Sequence, residues 1–253
     1  SRNDKWFCQR LSVDDTSAVP AEAIEDERNA GMPEELIQQE FFCSFDAPLV
    51  GSYYGSLMAK ALAEERIKEV PYEPRLEVHT AWDLGMGDST AIIFFQQFGN
   101  EYRIIDYYEN QGEGIPHYVK VIREKDYVYG KHIAPHDIKV RELGNMGKSR
   151  LDSALELGIA FEVAPKLSIE DGIEAVRKAL PNCWFDKNKC QKGVEYLKAY
   201  QKRWDDKNQC FKNKPMHNYA SHCADSFRTG IIGQGAEISD WKKQVPINTN
   251  YIV

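Results

Sequence analysis

The sequence predicts an α/β fold in which a mixed sheet carries helices on both of its faces. Three apolar segments, at about 76–84, 90–98 and 101–109, are separated by short reversals and therefore indicate antiparallel strands. Helical periodicity then alternates with short apolar stretches, which is typical of strands that are connected through helices.

Turn-forming residues define the two reversals between the first three strands. Gly85 and Gly87 follow the first strand, and Gly99 with Asn100 follows the second. Glycine and asparagine adopt the backbone angles that tight hairpins require. We therefore expect the three strands to pair in sequence order.

The later elements alternate between the two periodicities. Helices are predicted at about 115–127, 149–157, 168–180, 191–204 and 218–233, and strands at 131–134 and 159–164. Gly158 ends the second of these helices, and acidic residues after Ser168 mark the start of the third. Strands that are reached through helices pair in parallel, so the sheet is expected to be mixed.

The first 75 residues differ in character from the rest of the chain. They contain predicted helices at 20–31, 33–41 and 57–68, a short strand at 42–45, and a linker with two prolines at 70–74. So few strands do not build a domain core. We therefore expect residues 1–75 to be the end of a larger upstream domain with a linker, residues 76–235 to be the main domain, and residues 236–253 to be a tail.

Composition indicates a globular protein in a reducing compartment. The chain is 42% apolar and 28% charged, with no apolar run of 18 residues and no signal-peptide pattern. Its six cysteines are scattered and form no C-x-x-C pair, which favours reduced thiols in the cytoplasm. A minor alternative is a zinc site, for which the nearby candidates are Cys183, Cys190, His217, His222 and Cys223.

Charge is unevenly distributed along the chain, whose formal net charge is −7. Residues 1–77 are acidic, whereas Lys and Arg outnumber Asp and Glu by 8 to 4 in residues 120–150 and by 11 to 4 in residues 177–214. A basic face on an acidic chain can bind phosphates, because binding depends on local charge. The alternative is that both segments are solvated helix faces.

Three aspartates occupy positions that favour an active site. Asp83 ends the first strand, Asp137 follows a short apolar stretch, and Asp225 lies on the last long helix. Side chains at such positions can converge in one crevice beside a mixed sheet. Each also has an ordinary alternative, either a turn hydrogen bond or an ion pair with a neighbouring basic residue.

Three carboxylates suit the ligand preferences of Mg²⁺ and Mn²⁺. Two such ions, roughly 3.5–4 Å apart, activate a water and stabilise the leaving oxygen of a phosphodiester. Asp88 is a further candidate ligand or a turn residue. His217 and His222 are candidate acids or bases, or else packed histidines.

Basic residues near these aspartates are candidates for DNA contact. They are Lys139, Arg141, Lys148 and Arg150. The segment 144–149 has two residues between its glycines rather than four, so it is expected to start a helix and not to bind a nucleotide triphosphate. Aromatic residues in 184–204 interleave with lysines, a pattern that a DNA track or, more often, a packed helix face produces.

Taken together, the motifs resemble the nuclease domain of tailed-phage terminase large subunits. They are Trp82-Asp83-Leu84-Gly85 with Gly87-Asp88-Ser89-Thr90, Pro135-His136-Asp137 with Lys139-Val140-Arg141, and the stretch from His217 to Asp225. The order of elements is that of the ribonuclease H-like fold. The resemblance covers roughly 76–233, and residues 1–75 resemble the end of that family's packaging ATPase domain.

The resemblance implies an endonuclease that cuts concatemeric double-stranded viral DNA during genome packaging. Asp83, Asp137 and Asp225 fall on the family's metal-binding acids, which implies two Mg²⁺ or Mn²⁺ ions. The implied partners are double-stranded DNA, a portal protein and a small terminase subunit, with no membrane. The implied location is the cytoplasm of the infected bacterial host rather than the mature virion.

Three other functions stay open at this point. A resolvase-like or transposase-like nuclease shares the fold and would prefer branched DNA. A docking domain of a packaging motor would bind no metal. A sugar-kinase-like fold, the least favoured, would bind ATP. The family's ATP-binding half does not match any part of this sequence, so cleavage alone is expected.

Overall fold

The computed structural model describes residues 9, 11–30, 32, 34–43, 50–85, 89–140, 147–205, 207–208 and 210–235. Its strands are β1 (Ile67–Lys68), β2 (Val78–Asp83), β3 (Ser89–Phe98), β4 (Glu101–Gln111), β5 (Tyr129–Ala134), β6 (Phe161–Val163), β7 (Cys183–Asp186), β8 (Lys202–Asp205) and β9 (Cys210–Pro215). The first seven strands form one sheet, and β8 and β9 form a separate hairpin.

The helices follow the strands closely in sequence. They are α1 (Val13–Thr16), α2 (Ala21–Asn29), α3 (Glu34–Glu40), α4 (Gly55–Ala63), α5 (Ile115–Glu124), α6 (Arg150–Glu156), α7 (Ile169–Ala179), α8 (Gln191–Ala199) and α9 (Ser221–Gly233). Short 3₁₀-helices cover His136–Lys139 and Leu180–Asn182. In this described part of the chain, no helix has the length and apolar character to cross a membrane.

The large sheet is mixed, as the sequence predicts. Its strand order is β1-β7-β4-β3-β2-β5-β6. The pairs β2–β3 and β3–β4 are antiparallel, whereas β2–β5, β5–β6, β4–β7 and β1–β7 are parallel. Register places Asp83 opposite Ala91 and Ala91 opposite Glu109, so these three residues form one row across the sheet.

Helices cover both faces of the sheet, which confirms the predicted α/β layering. One core contains buried residues of α4, α7, α8 and α9, among them Met58, Val176, Leu197 and Phe227. The other core contains buried residues of α5 and α6 packed against Trp82, Ile92 and Phe94. Alternation along β2 explains the division, since Ala81 and Trp82 enter opposite cores.

The predicted helix over 191–204 is wrong in its last third. α8 ends at Ala199, and residues 202–205 instead form β8. Tyr200 is fully buried and its ring stacks 5.5 Å from that of Tyr54, while its carbonyl accepts a hydrogen bond from the Tyr53 amide. This tertiary contact holds the backbone extended where periodicity alone favours a helix.

Two other predictions near the N-terminus need correction. The helix predicted over 57–68 ends at Ala63, because Glu65 adopts a positive φ of 55° and the chain then enters β1. In the strand predicted over 42–45, Phe42 lies in a turn and Cys43 has a φ of 47°, while residues 44 and 45 lie outside the described residues.

Residues 50–75 pack directly on the sheet. Arg66 is buried and donates hydrogen bonds to the carbonyls of Leu180 and Cys183, each at 2.9 Å. The buried Gln96 amide then donates to the carbonyls of Glu73 and Leu76. The predicted domain boundary near residue 75 stays a prediction, but the chain that precedes it supplies a sheet strand.

Candidate active site

Asp83 lies at the carboxyl end of β2, on the face that α9 covers. Strand alternation places its side chain on the same side as Ala81, while Trp82 is buried on the opposite side. Asp83 is 21% exposed, so the carboxylate lines an accessible crevice rather than the closed core. The predicted strand-end position is confirmed.

α9 approaches β2 closely because small residues line the contact. The hydroxyl of Ser226 donates to the carbonyl of Ala81 at 2.8 Å. A Cβ atom added to Gly230 would lie 2.8 Å from the Cβ of Ala81, closer than side chains normally approach. As the sequence predicts, Ala224 and Phe227 of this helix are buried against the sheet.

This close approach brings His222 onto Asp83. His222 Nδ1 lies 2.9 Å from Asp83 Oδ2, and the histidine side chain is 8% exposed. An ionised carboxylate can only accept a hydrogen bond, so Nδ1 carries the proton that is donated. The contact fixes both the ring orientation and the position of the proton.

Asp225 faces the same crevice from the next turn of α9. Its carboxylate forms an ion pair with Arg228 at 3.0 Å. Burial raises the pKa of Asp225 from 3.8 to about 6, the Arg228 charge opposes this rise, and the negative charge of Asp83 adds to it. The two carboxylates therefore lie within electrostatic reach of each other in a partly dehydrated site.

Asp137 lies at the same edge of the sheet but outside this group. It occupies the 3₁₀-helix that follows β5, and its side chain is exposed. β5 is the parallel neighbour of β2, with Ile133 opposite Ala81, so both strands end at one edge. The structure thus brings Asp83, His222 and Asp225 together and leaves Asp137 beside them.

The remaining site candidates have various positions. Asp88 and Arg141 lie outside the described residues. Lys139 is exposed in the 3₁₀-helix, and Lys148 forms an ion pair with Glu156 at 2.7 Å. His217 is exposed, with its ring centroid 5.5 Å from that of His222.

Arg150 is the basic candidate with the clearest connection to the crevice. Its Nη1 donates to the carbonyl of Leu84, the residue after Asp83, at 2.6 Å. Ser149 caps α6, and Asp152 reciprocates the cap, so the segment 144–149 does lead into a helix as predicted. The cap fixes the first turn of α6 and with it the base of the Arg150 side chain.

The described cysteines have structural partners. Cys183 and Cys223 are buried and donate to the carbonyls of Ala179 and Gly193, and burial raises the pKa of both thiols. Within the described residues, no three His, Cys, Asp or Glu side chains are grouped as a metal site. The thiols therefore give no support to the zinc alternative.

The donor chemistry of the crevice nevertheless fits a hard divalent cation. Asp83 and Asp225 offer carboxylate oxygens to one space, and the raised pKa of Asp225 shows an uncompensated excess of negative charge there. A divalent cation would offset that excess. Asp137 lies on the same sheet edge as a third oxygen donor.

Sequence reasoning missed Glu109 and Lys192. Glu109 is in the sheet row that contains Asp83, is 7% exposed, and forms an ion pair with Lys192 of α8 at 2.9 Å. The available signal was the period-two pattern of β4, which places Glu109 on the same face as Tyr107. No charge pattern along the chain indicated its burial.

Comparisons with known proteins begin with two searches that find no relative. No protein-family model matches the chain, and no curated protein matches it. Among solved structures, the fold groups the chain with ribonuclease H-like nuclease domains of phage large terminases.

The similar structures come from three phages. The large terminase of a thermophilic bacteriophage, in complex with ATP-gamma-S, matches with a TM-score of 0.54 and 16% identity over 87% of this chain and 54% of its own. The P22 large terminase nuclease domain matches with a TM-score of 0.51 and 16% identity over 68% and 90%. The cobalt-bound nuclease of thermophilic phage G20c matches with a TM-score of 0.51 and 12% identity over 74% and 98%.

These likenesses establish the fold. The chain spans about half the length of the ATP-gamma-S-bound terminase and nearly the full length of the separate nuclease domains. Identities of 12–16% leave activity to be argued from the site itself. The resemblance inferred from the motifs is therefore confirmed at the level of the fold.

Proposed function

We propose that this protein is a metal-dependent endonuclease that hydrolyses phosphodiesters of double-stranded DNA, and that it cuts concatemeric viral DNA during genome packaging. The observation that carries the proposal is the meeting of Asp83, His222 and Asp225 at the edge of a ribonuclease H-like sheet. The same fold occurs in solved nuclease domains of phage terminases, and one of these holds cobalt.

Asp83 and Asp225, with Asp137 from the neighbouring 3₁₀-helix, would hold Mg²⁺ or Mn²⁺, with two ions as our proposal. When bound, such ions supply an activated water and stabilise the charge of the leaving oxygen. Their ligands must be ionised, which the proximity of Arg228 favours at Asp225.

The protein's own residues position this carboxylate pair. His222 donates to Asp83 and limits the rotation of its carboxylate. Arg228 contacts Asp225 and packs over Gly172 of α7, where an added Cβ would lie 2.5 Å from Arg228 Cδ. Arg150 holds the backbone of Leu84 immediately after Asp83.

The substrate and partners follow from the basic surfaces and the shared fold. Lys139, Lys148 and Arg150 lie on the elements that follow β5 and are proposed DNA contacts, as is Arg141. A portal protein, a small terminase subunit and the cytoplasm of an infected bacterial host are proposed from the resemblance to phage terminases.

A plasmid-nicking assay tests the proposal. Wild-type protein should nick supercoiled plasmid with Mg²⁺ or Mn²⁺ and lose that activity in chelator. Asp83→Ala, Asp137→Ala and Asp225→Ala should each reduce nicking by at least about a hundredfold, because each removes a proposed ligand. Glu101→Ala is the matched control, since Glu101 lies at the β3–β4 turn, far from the crevice along the strands.

The outcomes separate the alternatives. Full nicking by Asp137→Ala would remove Asp137 from the site. A preference for branched over linear duplex would favour the resolvase-like function. If the wild type nicks nothing, and calorimetric metal titrations of wild type and Asp83→Asn are alike, the nuclease assignment fails in favour of a docking domain.

A further inference from the structure

An exposed aromatic surface lies next to the candidate active site. We name it the α8–α9 shelf and define it as Lys192, Tyr196 and Tyr219. The ring centroids of Tyr196 and Tyr219 are 5.1 Å apart with planes at 59°, and Lys192 Nζ lies 5.3 Å from the centre of the Tyr196 ring. Tyr219 is 59% exposed, so much of its ring is accessible to a ligand.

Chain geometry places the shelf beside the carboxylates. Tyr219 precedes His222 by three residues, which limits the distance between their Cα atoms to about 11 Å. On the sheet side, Lys192 contacts Glu109, which shares a sheet row with Asp83. A strand that entered the crevice at Asp83 would therefore pass within a nucleotide or two of the shelf.

A buried carboxylate holds the shelf in place. Glu109 accepts hydrogen bonds from the hydroxyl of Tyr107 at 3.1 Å and from Lys192 Nζ at 2.9 Å. Gly193 packs against the Tyr107 ring, which fixes the start of α8 against β4. Since Glu109 already offsets the charge of Lys192, the shelf offers aromatic surface more than it offers positive charge.

We propose that the α8–α9 shelf binds a base of a DNA strand that is unpaired from its complement, next to the cleavage site. Exposed aromatic rings bind nucleic acid by stacking on a base face. Inside a duplex both faces of each base are covered by neighbouring bases, so the ligand must be a strand end or a locally opened segment. The identity of the ligand as DNA rests on the proposed function.

Binding measured in chelator tests the shelf without any cleavage. Fluorescence anisotropy would compare a blunt duplex with the same duplex carrying a six-nucleotide single-stranded overhang. Wild-type protein should bind the overhang DNA more tightly. Tyr219→Ala should lose most of that advantage, roughly fivefold or more, because one stacked base is lost. Tyr219→Phe should keep it, because the ring remains.

Phe98→Ala is the matched control. Phe98 is also a large exposed aromatic, at 64% exposure, but it lies at the far end of β3, about 20 Å along the strand from the row of Asp83. The overhang advantage should be unaffected by this change. The slope of affinity against salt should also be the same for wild type and Tyr219→Ala, since stacking releases no counterions.

Two results would overturn the shelf proposal. One is unchanged overhang binding by Tyr219→Ala, which would assign the exposed ring to a protein partner or to no ligand. The other is an equal loss with Phe98→Ala. A protein that binds overhangs through Tyr219 but never nicks plasmid would retain the shelf and refute the nuclease, so the two failures are distinguishable.

Discussion

Asp225 lies under opposing electrostatic influences that decide how the candidate site behaves without metal. Burial and the charge of Asp83 favour its protonated form, whereas Arg228 favours the carboxylate. The first two prevail, since the pKa is raised to about 6. A site built from this residue is therefore destabilising at neutral pH until a cation offsets its charge.

This residue should make stability depend on pH in a defined direction. The folded pKa of about 6 exceeds the ordinary 3.8, so the folded state binds the proton more tightly. The contribution of Asp225 to stability is then present below pH 4 and lost as the pH rises to about 6. Asp225→Asn removes this dependence while leaving any constant cost of the lost Arg228 pair.

The measurement is urea unfolding in chelator at several pH values. The difference in unfolding free energy, Asp225→Asn minus wild type, should increase by roughly 1–2 kcal/mol between pH 4 and pH 7, allowing for partial exposure of the side chain. A difference that stays constant or decreases over this range would show that burial does not perturb Asp225 as described.

At the scale of elements, the contact between α9 and β2 places His222 and Asp225 relative to Asp83. The contact depends on Ser226 and Gly230, which let the helix backbone approach Ala81. The site geometry is thus a product of packing between one helix and one strand, and it should be sensitive to a single added methyl group.

Gly230→Ala tests this dependence. Alanine adds about 1 kcal/mol of helix propensity, but its Cβ would lie 2.8 Å from Ala81 Cβ, and overpacking of this kind typically costs about 1–3 kcal/mol. We expect a lower thermal midpoint and reduced nicking. Adding Ala81→Gly removes the clashing atom, so the double variant should be more stable than the two separate changes predict. Strict additivity would contradict the contact.

Much of this architecture could be predicted from local sequence. Alternating apolar residues and glycine turns define β2, β3 and β4, and Asp83 and Asp225 follow from their positions on β2 and α9. β1 has only two residues and β8 follows a helix-like segment, so neither has a local pattern that reveals it. Both depend on partners distant in sequence, β7 and β9.

The same limit applies to the site. His222 was one candidate among several acids and bases, because only the fold shows which histidine reaches Asp83. Glu109 gave no signal, since its burial depends on Tyr107 and Lys192 together. Sequence spacing identifies residues on one helix face, whereas contacts between α9, β2 and β4 require the tertiary structure.

At the scale of the whole molecule, a net charge of −7 is combined with local basic surfaces. The β8–β9 hairpin presents exposed Arg203, Lys207 and Lys214, and it ends two residues before His217. These cations therefore lie on a segment that leads directly into the candidate site. Duplex binding should be driven by phosphate contact at this surface and should weaken as salt increases.

Salt titrations of duplex binding in chelator test this surface. Arg203→Gln and Lys214→Gln should each reduce the slope of log affinity against log salt by about 0.9, the value for one phosphate contact. Arg75→Gln is the control, because this highly exposed arginine precedes β2 and so lies at the opposite end of that strand from Asp83. Equal effects at all three positions, or a flat response in the wild type, would refute the hairpin as a DNA contact.

The attachment of residues 50–75 to the sheet has a mechanical consequence. Arg66 bonds to the turn before β7, β1 extends the sheet at that edge, and Gln96 secures the chain just before β2. A displacement applied at Tyr53 would therefore reach the strand that bears Asp83 through hydrogen bonds and packed side chains, not through a slack tether. In this arrangement, a pull on the upstream chain and the alignment of the cutting carboxylates are coupled by the same rigid connection.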